Sequence, residues 1–283
     1  EGIAINAVMA GCCSEYLPVV LAGVEAIGEP ANNMSGWAST TGPNSPMFIV
    51  NGPICDEIGL NNGVNALGAG RRANATIGRA LFLVIKNIGG VEPGVTDMTT
   101  IGAPWEYTMC LGENEDGLPK GWSPLNEDRG FPRVNTVTAK CINSQVDVFC
   151  HNALHLDQII GTIAAGIVGI NSLAILQGQG IVIALCPEVA DLAGKDRWSK
   201  TAIKQYLYKK ARQPLQLWQS LGDNFVASGL MPEASTEAAD YLMRMIPQPD
   251  DITIIVTGGA GKHCQWWAGG HGEPVTKVID VWR

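Results

Sequence analysis

The sequence predicts an α/β fold: a largely parallel or mixed sheet with helices on both faces. Three observations point there. Apolar runs of strand length, at residues 47–50, 180–185 and 251–256, are separated by helical patterns. Each of those runs empties into a polar, glycine- or proline-bearing loop, at Asn51 onward, at Cys186-Pro187-Glu188, and at residues 258–263. In open α/β sheets such loops, beyond the carboxyl ends of strands, are where ligands sit. Finally, 46% hydrophobic against 16% charged residues supplies a core for 283 residues, as one continuous domain or as two lobes, 1–145 and 146–283.

Taken in order, residues 3–26 carry helical spacing broken at Gly11-Cys12-Cys13-Ser14, with Ser14 positioned to cap a second helix that tolerates Pro18 in its first turn. The chain starts at Glu1 inside that pattern, which reads as a cleavage point or a fragment start. Residues 37–42 and 47–50 read as strands, 73–88 as a helix closing at Gly89-Gly90, and 107–111 as a short strand. Residues 113–116, Glu-Asn-Glu-Asp, suit an acidic lid or a solvated loop. Residues 135–139 and 146–149 read as two further strands, and the apolar stretch 159–176 as a buried helix. Helices follow at 187 onward, 200–213, 216–228 and 233–245, and a last strand at 275–281. No internal repeat is visible.

A net charge of −8 gives an overall field that disfavours nucleic acid and anionic membranes as partners. The eight cysteines are scattered through apolar runs, the pattern of free thiols in a reducing cytoplasm.

Residues 51–79 organise the functional reading. Six glycines and five asparagines in 29 residues make a loop far richer in amides than a connection needs. Successive N–H groups from Gly68 to Thr76, beside Arg71, Arg72 and Arg79, have the chemistry to hold a carboxylate, phosphate or oxyanion. A second anion loop is predicted at residues 258–263, where Lys262 adds charge; His263 in place of Ser or Thr excludes a Walker loop. A small anionic or polar substrate is therefore expected between the two loops. Arg72 and Lys262 would hold it, Asn51 and Asn74 orient it, and Asn65 and Arg79 complete the binding face. Cys12, ahead of a helix N-terminus, is the candidate low-pKa thiol, with Glu15 or His263 moving protons. His151 and His155, at i,i+4 spacing, form the candidate half of a divalent-metal site and carry an alternative expectation of a metal-dependent hydrolase or lyase. Trp266-Trp267 suits a pocket wall, core filling or an interface.

Taken together, residues 7–12 with Glu15-Tyr16, Asn51-Gly52-Pro53-Ile54, residues 65–68 and 72–79, Pro187-Glu188 with Trp198-Ser199-Lys200, and residues 258–263 resemble the UGSC family. That family is named for a selenocysteine- or cysteine-Gly-Ser-Cys motif in an amino-terminal module, which this sequence does not contain. The resemblance therefore implies the carboxyl-terminal portion of such a protein. It implies thiol-dependent oxidoreductase chemistry and a homo- or hetero-oligomer with a chain carrying the missing module. A non-catalytic subunit of such an assembly is the remaining alternative.

Overall fold

The computed structural model describes residues 1–169, 180–214 and 242–283. The fold is α/β, built on a mixed, curled sheet. Its main path runs β2-β1-β3-β8-β4-β7, with β9 added to β3. The strands are β1 (Ser45–Asn51), β2 (Cys110–Gly112), β3 (Thr136–Phe149), β4 (Ile181–Leu185), β7 (Ile252–Val256), β8 (His263–Gly269) and β9 (Val275–Val278). β5 (Arg212–Pro214) and β6 (Leu242–Arg244) form a separate antiparallel pair.

This strand order is a palindrome. β1 pairs parallel with β2 and antiparallel with β3; β4 pairs parallel with β7 and antiparallel with β8. The two halves join where β3 meets β8 antiparallel. An internal repeat of topology is therefore present that the sequence does not display. The expected lobe boundary at 145 falls inside β3, so both halves share one sheet. The outer edges also meet. Asn114 N–H donates to Val256 C=O at 2.7 Å, and Thr257 Oγ1 donates to Gly112 C=O at 2.9 Å. A bulge between Ile142 and Ser144 adds bend to the long central strand.

Alternation along the strands divides the core. Phe48 and Val50 of β1 and Val137, Ala139 and Cys141 of β3 pack against helices α1 (Gly2–Ala10), α2 (Leu17–Gly28) and α5 (Arg72–Asn87). Ile183 and Leu185 of β4 and Trp266 of β8 pack against α7 (Leu156–Val168), α8 (Pro187–Lys195) and α9 (Lys200–Lys210). Met47, Ile49, Val182, Ala184 and Trp267 point to the opposite face, where Leu125 of the short helix α6 (Leu125–Asp128) joins them. In α5 the buried set Ala73, Ile77, Ala80, Leu81, Val84 and Ile85 repeats at 3.6-residue spacing, which is why a loop so rich in glycine resolves into a helix there. α8 begins with Pro187 at its first position, where a missing N–H costs nothing.

Several expected elements differ. Residues 37–42 are not a strand: the short helices α3 (Met34–Trp37) and α4 (Ile54–Glu57) flank β1, and Trp37 is buried at the end of α3 with its indole on Asn32. Residues 135–139 and 146–149 belong to one continuous strand. Residues 263–269 form a central strand that the sequence reading did not assign, and its Trp266 and Trp267 are both fully buried. Ser14 does not cap α2; its hydroxyl bonds Glu15 in a 3-10 turn. The helix expected at 216–228, most of that at 233–245 and the end of 159–176 lie outside the described residues; residues 242–244 are strand β6. No helix among the described residues is long and apolar enough to cross a membrane.

Candidate active site

The carboxyl end of β4 delivers Cys186. It is the N-cap of α8, with extended backbone (φ −70°, ψ 158°). Its sulfur lies near the thiol of Cys264 and the backbone amides of Val189 and Lys262, although Val189 N–H is bonded to Cys186 C=O and Lys262 N–H to Glu188. These three groups favour the thiolate over the opposing effects of burial and the nearby Glu188 carboxylate, and lower the Cys186 pKa to about 6. Cys264 is the donor in that pair, so its own pKa is pushed well above 9.0. The two thiols titrate as a unit that shares one proton.

The loop 258–263 is an anion-binding nest, and the anion it holds is internal. Glu188 Oε2 accepts from Gly261 N–H at 2.6 Å and Lys262 N–H at 3.1 Å. Lys262 itself spends its ammonium on Ala153 C=O at 3.0 Å. His263 is held by Asp147, Nδ1 to Oδ2 at 2.8 Å, both side chains about half exposed. The last β4–β8 pair is Leu185 with Cys264, so the register continues with Cys186 opposite His263.

The two expected loops do meet. Asn62 C=O accepts from Gly258 N–H at 3.0 Å and from Thr257 Oγ1 at 3.2 Å. Val64 lies so close over Gly259 that a Cβ there would stand 2.4 Å from Val64 Cγ2, which is why glycine occupies the position. Between them opens a cleft of about 440 Å³ whose lining includes Asn65, Leu67, Cys186, Thr257, His263 and Gln265, with Trp267 at its wall.

Of the residues expected from sequence, His263 and Asn65 line this cleft. Cys12 does not: its sulfur donates to Thr76 C=O at 3.3 Å, and burial raises its pKa rather than lowering it. Glu15 is fully exposed, and its own backbone amide and Ser14 lower its pKa, the wrong direction for a base. Arg72 bonds Gly11 C=O at 2.9 Å. Arg79 lies over the Tyr107 ring, 5.9 Å from its centroid, in a different cleft. Asn74 ties the loop to the sheet through Asn61, Ala66 and Cys110. Asn51 is fully buried and bonds Glu113 and Glu115. Glu113 is also buried, neither lid nor solvated loop; desolvation raises its pKa, and it bonds Asn51 at 2.6 Å and the Leu125 amide at 2.7 Å.

The paired histidines separate. His155 is the N-cap of α7 and lies 3.5 Å from Asp196, while His151 sits in the preceding turn. His151 stacks edge-on with His263, ring centroids 5.0 Å apart, and tilts on Phe149 at 4.3 Å. Among the described residues no three His, Cys, Asp or Glu side chains converge to hold a metal ion. What sequence reasoning missed is Cys186, Cys264 and Asp147. A cysteine directly before a proline at the end of an apolar strand was a readable helix-cap signal; the contributions of Cys264 and Asp147 come from neighbouring strands. No family model, curated protein or solved structure matches this chain.

Proposed function

We propose that the chain is a thiol-dependent enzyme of oxidoreductase type acting on a small polar substrate, with Cys186 as the attacking thiolate. The observation that carries this is the place of Cys186, at the N-terminus of α8, beside the Cys264 thiol and lining the 64–68/258–263 cleft, where its pKa is lowered to about 6. His263, oriented by Asp147, is placed to pass protons to and from a leaving group. The resemblance to the UGSC family supports the redox class, and membership of that family belongs to the same proposal. All eight cysteines are unpaired, which supports a reducing, cytoplasmic setting. With Arg72 and Lys262 engaged on backbone carbonyls, the cleft favours polar over strongly anionic substrates. A homo- or hetero-oligomer remains part of the proposal through the family resemblance.

The test is dithiothreitol-dependent turnover across a panel of small polar disulfides, peroxides and carbon electrophiles. Cys186→Ala is expected to abolish turnover, His263→Asn to lower kcat/KM by roughly 10²–10⁴, and Cys12→Ala to leave it unchanged. Turnover that survives Cys186→Ala and is lost in Cys12→Ala overturns the assignment.

A further inference from the structure

Cys264 has no role in the chemistry assigned so far beyond stabilising its neighbour, yet its position gives it one. It sits on β8 directly opposite Leu185, one residue from Cys186, and both cysteines belong to the same buried cluster. Access to the cleft separates the two. Both are buried among the apolar residues under α7 and α8, Cys264 at 1% and Cys186 at 5% exposure, but of the two Cys186 lines the cleft. An external reagent therefore meets Cys186 first, and Cys264 meets Cys186.

We propose that Cys186 and Cys264 form a redox dithiol that reduces a small, uncharged polar disulfide, Cys186 attacking and Cys264 resolving. This rests on the assignment of Cys186 as the reactive thiol. The ligand class follows from the lining. Gln145 and Gln265, bonded to one another at 2.9 Å, present amides to the cleft beside Thr257 and the 258–260 backbone, and among the described residues no lysine or arginine lines it. A space of about 440 Å³ accommodates a disulfide-bearing molecule and far exceeds what a hydroperoxide group needs.

The chemistry balances. The Cys186 thiolate attacks one sulfur of R–S–S–R; that bond breaks, a Cys186–S–S–R mixed disulfide forms, and one RS⁻ leaves beside His263. Cys264 then gives up its proton and attacks the Cys186 sulfur, expelling the second RS⁻. Two electrons pass from the dithiol to the substrate sulfurs. The single proton of the pair leaves with one product thiol, and solvent protonates the other. An external thiol reductant restores the dithiol by the reverse exchanges.

The test uses the full chain, reduced and freed of reductant, with glutathione disulfide and, as an uncharged probe, bis(2-hydroxyethyl) disulfide. Peptide mapping without reduction is expected to show Cys186 linked to Cys264 in the wild type. In Cys264→Ala the mixed disulfide is expected to accumulate on Cys186, with the uncharged probe reacting faster than glutathione disulfide. A stable mixed disulfide on Cys186 in the wild type, with no internal link, overturns the resolving role and leaves the attacking thiol standing. Cys186 that is alkylated by iodoacetamide but ignores both disulfides overturns the substrate class. Cys186 inert to iodoacetamide as well overturns the reading on which the proposal rests. The wild-type map decides the resolving role even if Cys264→Ala does not fold.

Discussion

Above pH 9 the protein is expected to lose stability steeply, by about 4 kcal/mol per pH unit. Burial pushes Cys55 and Cys141 up to about 12, pushes Cys110 further, and together with its bond to Cys186 raises Cys264. In the unfolded chain all four ionise near 9.0. Between those limits the folded state binds more protons than the unfolded one, so stability falls as pH rises, each thiol contributing roughly 1.4 kcal/mol per unit. Lys140 works against this. Its buried ammonium, bonded to Gly272 C=O, is lowered from 10.5 to about 8, so stability rises with pH across that window and cancels about one thiol. A typical domain stability of about 5–15 kcal/mol is then exhausted near pH 11 or 12. On the other side, Cys186 ionises near 6 in the folded state and near 9.0 unfolded, so it adds stability as pH climbs between those values. Denaturant melts followed by circular dichroism from pH 6 to 11 should show a maximum near pH 8 to 9 and a sharp fall beyond it. Cys141→Ala should flatten the alkaline fall by about one proton. A stability flat to pH 11 contradicts the buried-thiol account.

Trp267→Ala is expected to cost about 3–5 kcal/mol, the range for emptying a large buried aromatic site. Trp267 is fully buried at the centre of the core formed by Met47, Ile49, Val182, Ala184 and Leu125, and it also walls the cleft. One feature tempers the loss: its indole Nε1 is buried with no hydrogen-bond partner among the described residues, which costs about 1–3 kcal/mol in the native protein. Trp267→Phe removes that unpaired donor while keeping most of the ring, so it should lie within about 1 kcal/mol of wild type. Urea unfolding of the three proteins checks the pair. Equal, large losses in both variants would mean that the indole N–H is satisfied.

Local physics made much of the fold legible. β1, β4 and β7 are built on apolar runs, and the apolar spacing of α5 shows through its glycine-rich approach. The meeting of the two glycine-rich loops also followed from their place after strands. What failed depended on partners distant in sequence. β8 combines a histidine, two tryptophans and a glycine, and its strand character comes from pairing on both sides, with β3 and β4. The repeat is one of strand pairing, with loops of unlike length and composition in its two halves. Cys12 and Cys186 both precede helices, so the local signal is shared. Cys12 donates to a carbonyl of α5 and is half buried, which raises its pKa, while Cys186 has amides and the Cys264 thiol near its sulfur, which lower it. Arg72, Lys262, Asn51 and Asn74 carried the right functional groups, but each is spent on a partner inside the protein.

Cys186, and not Cys12, is proposed as the thiolate at neutral pH. The most direct measurement is the rate of iodoacetamide alkylation from pH 4.5 to 10, resolved by peptide for each cysteine. Half-maximal reactivity of Cys186 is expected near pH 6, with Cys12 reacting only at or above the ordinary thiol value of 9.0. Cys12 labelling in the acid range while Cys186 stays silent until alkaline pH would contradict this assignment.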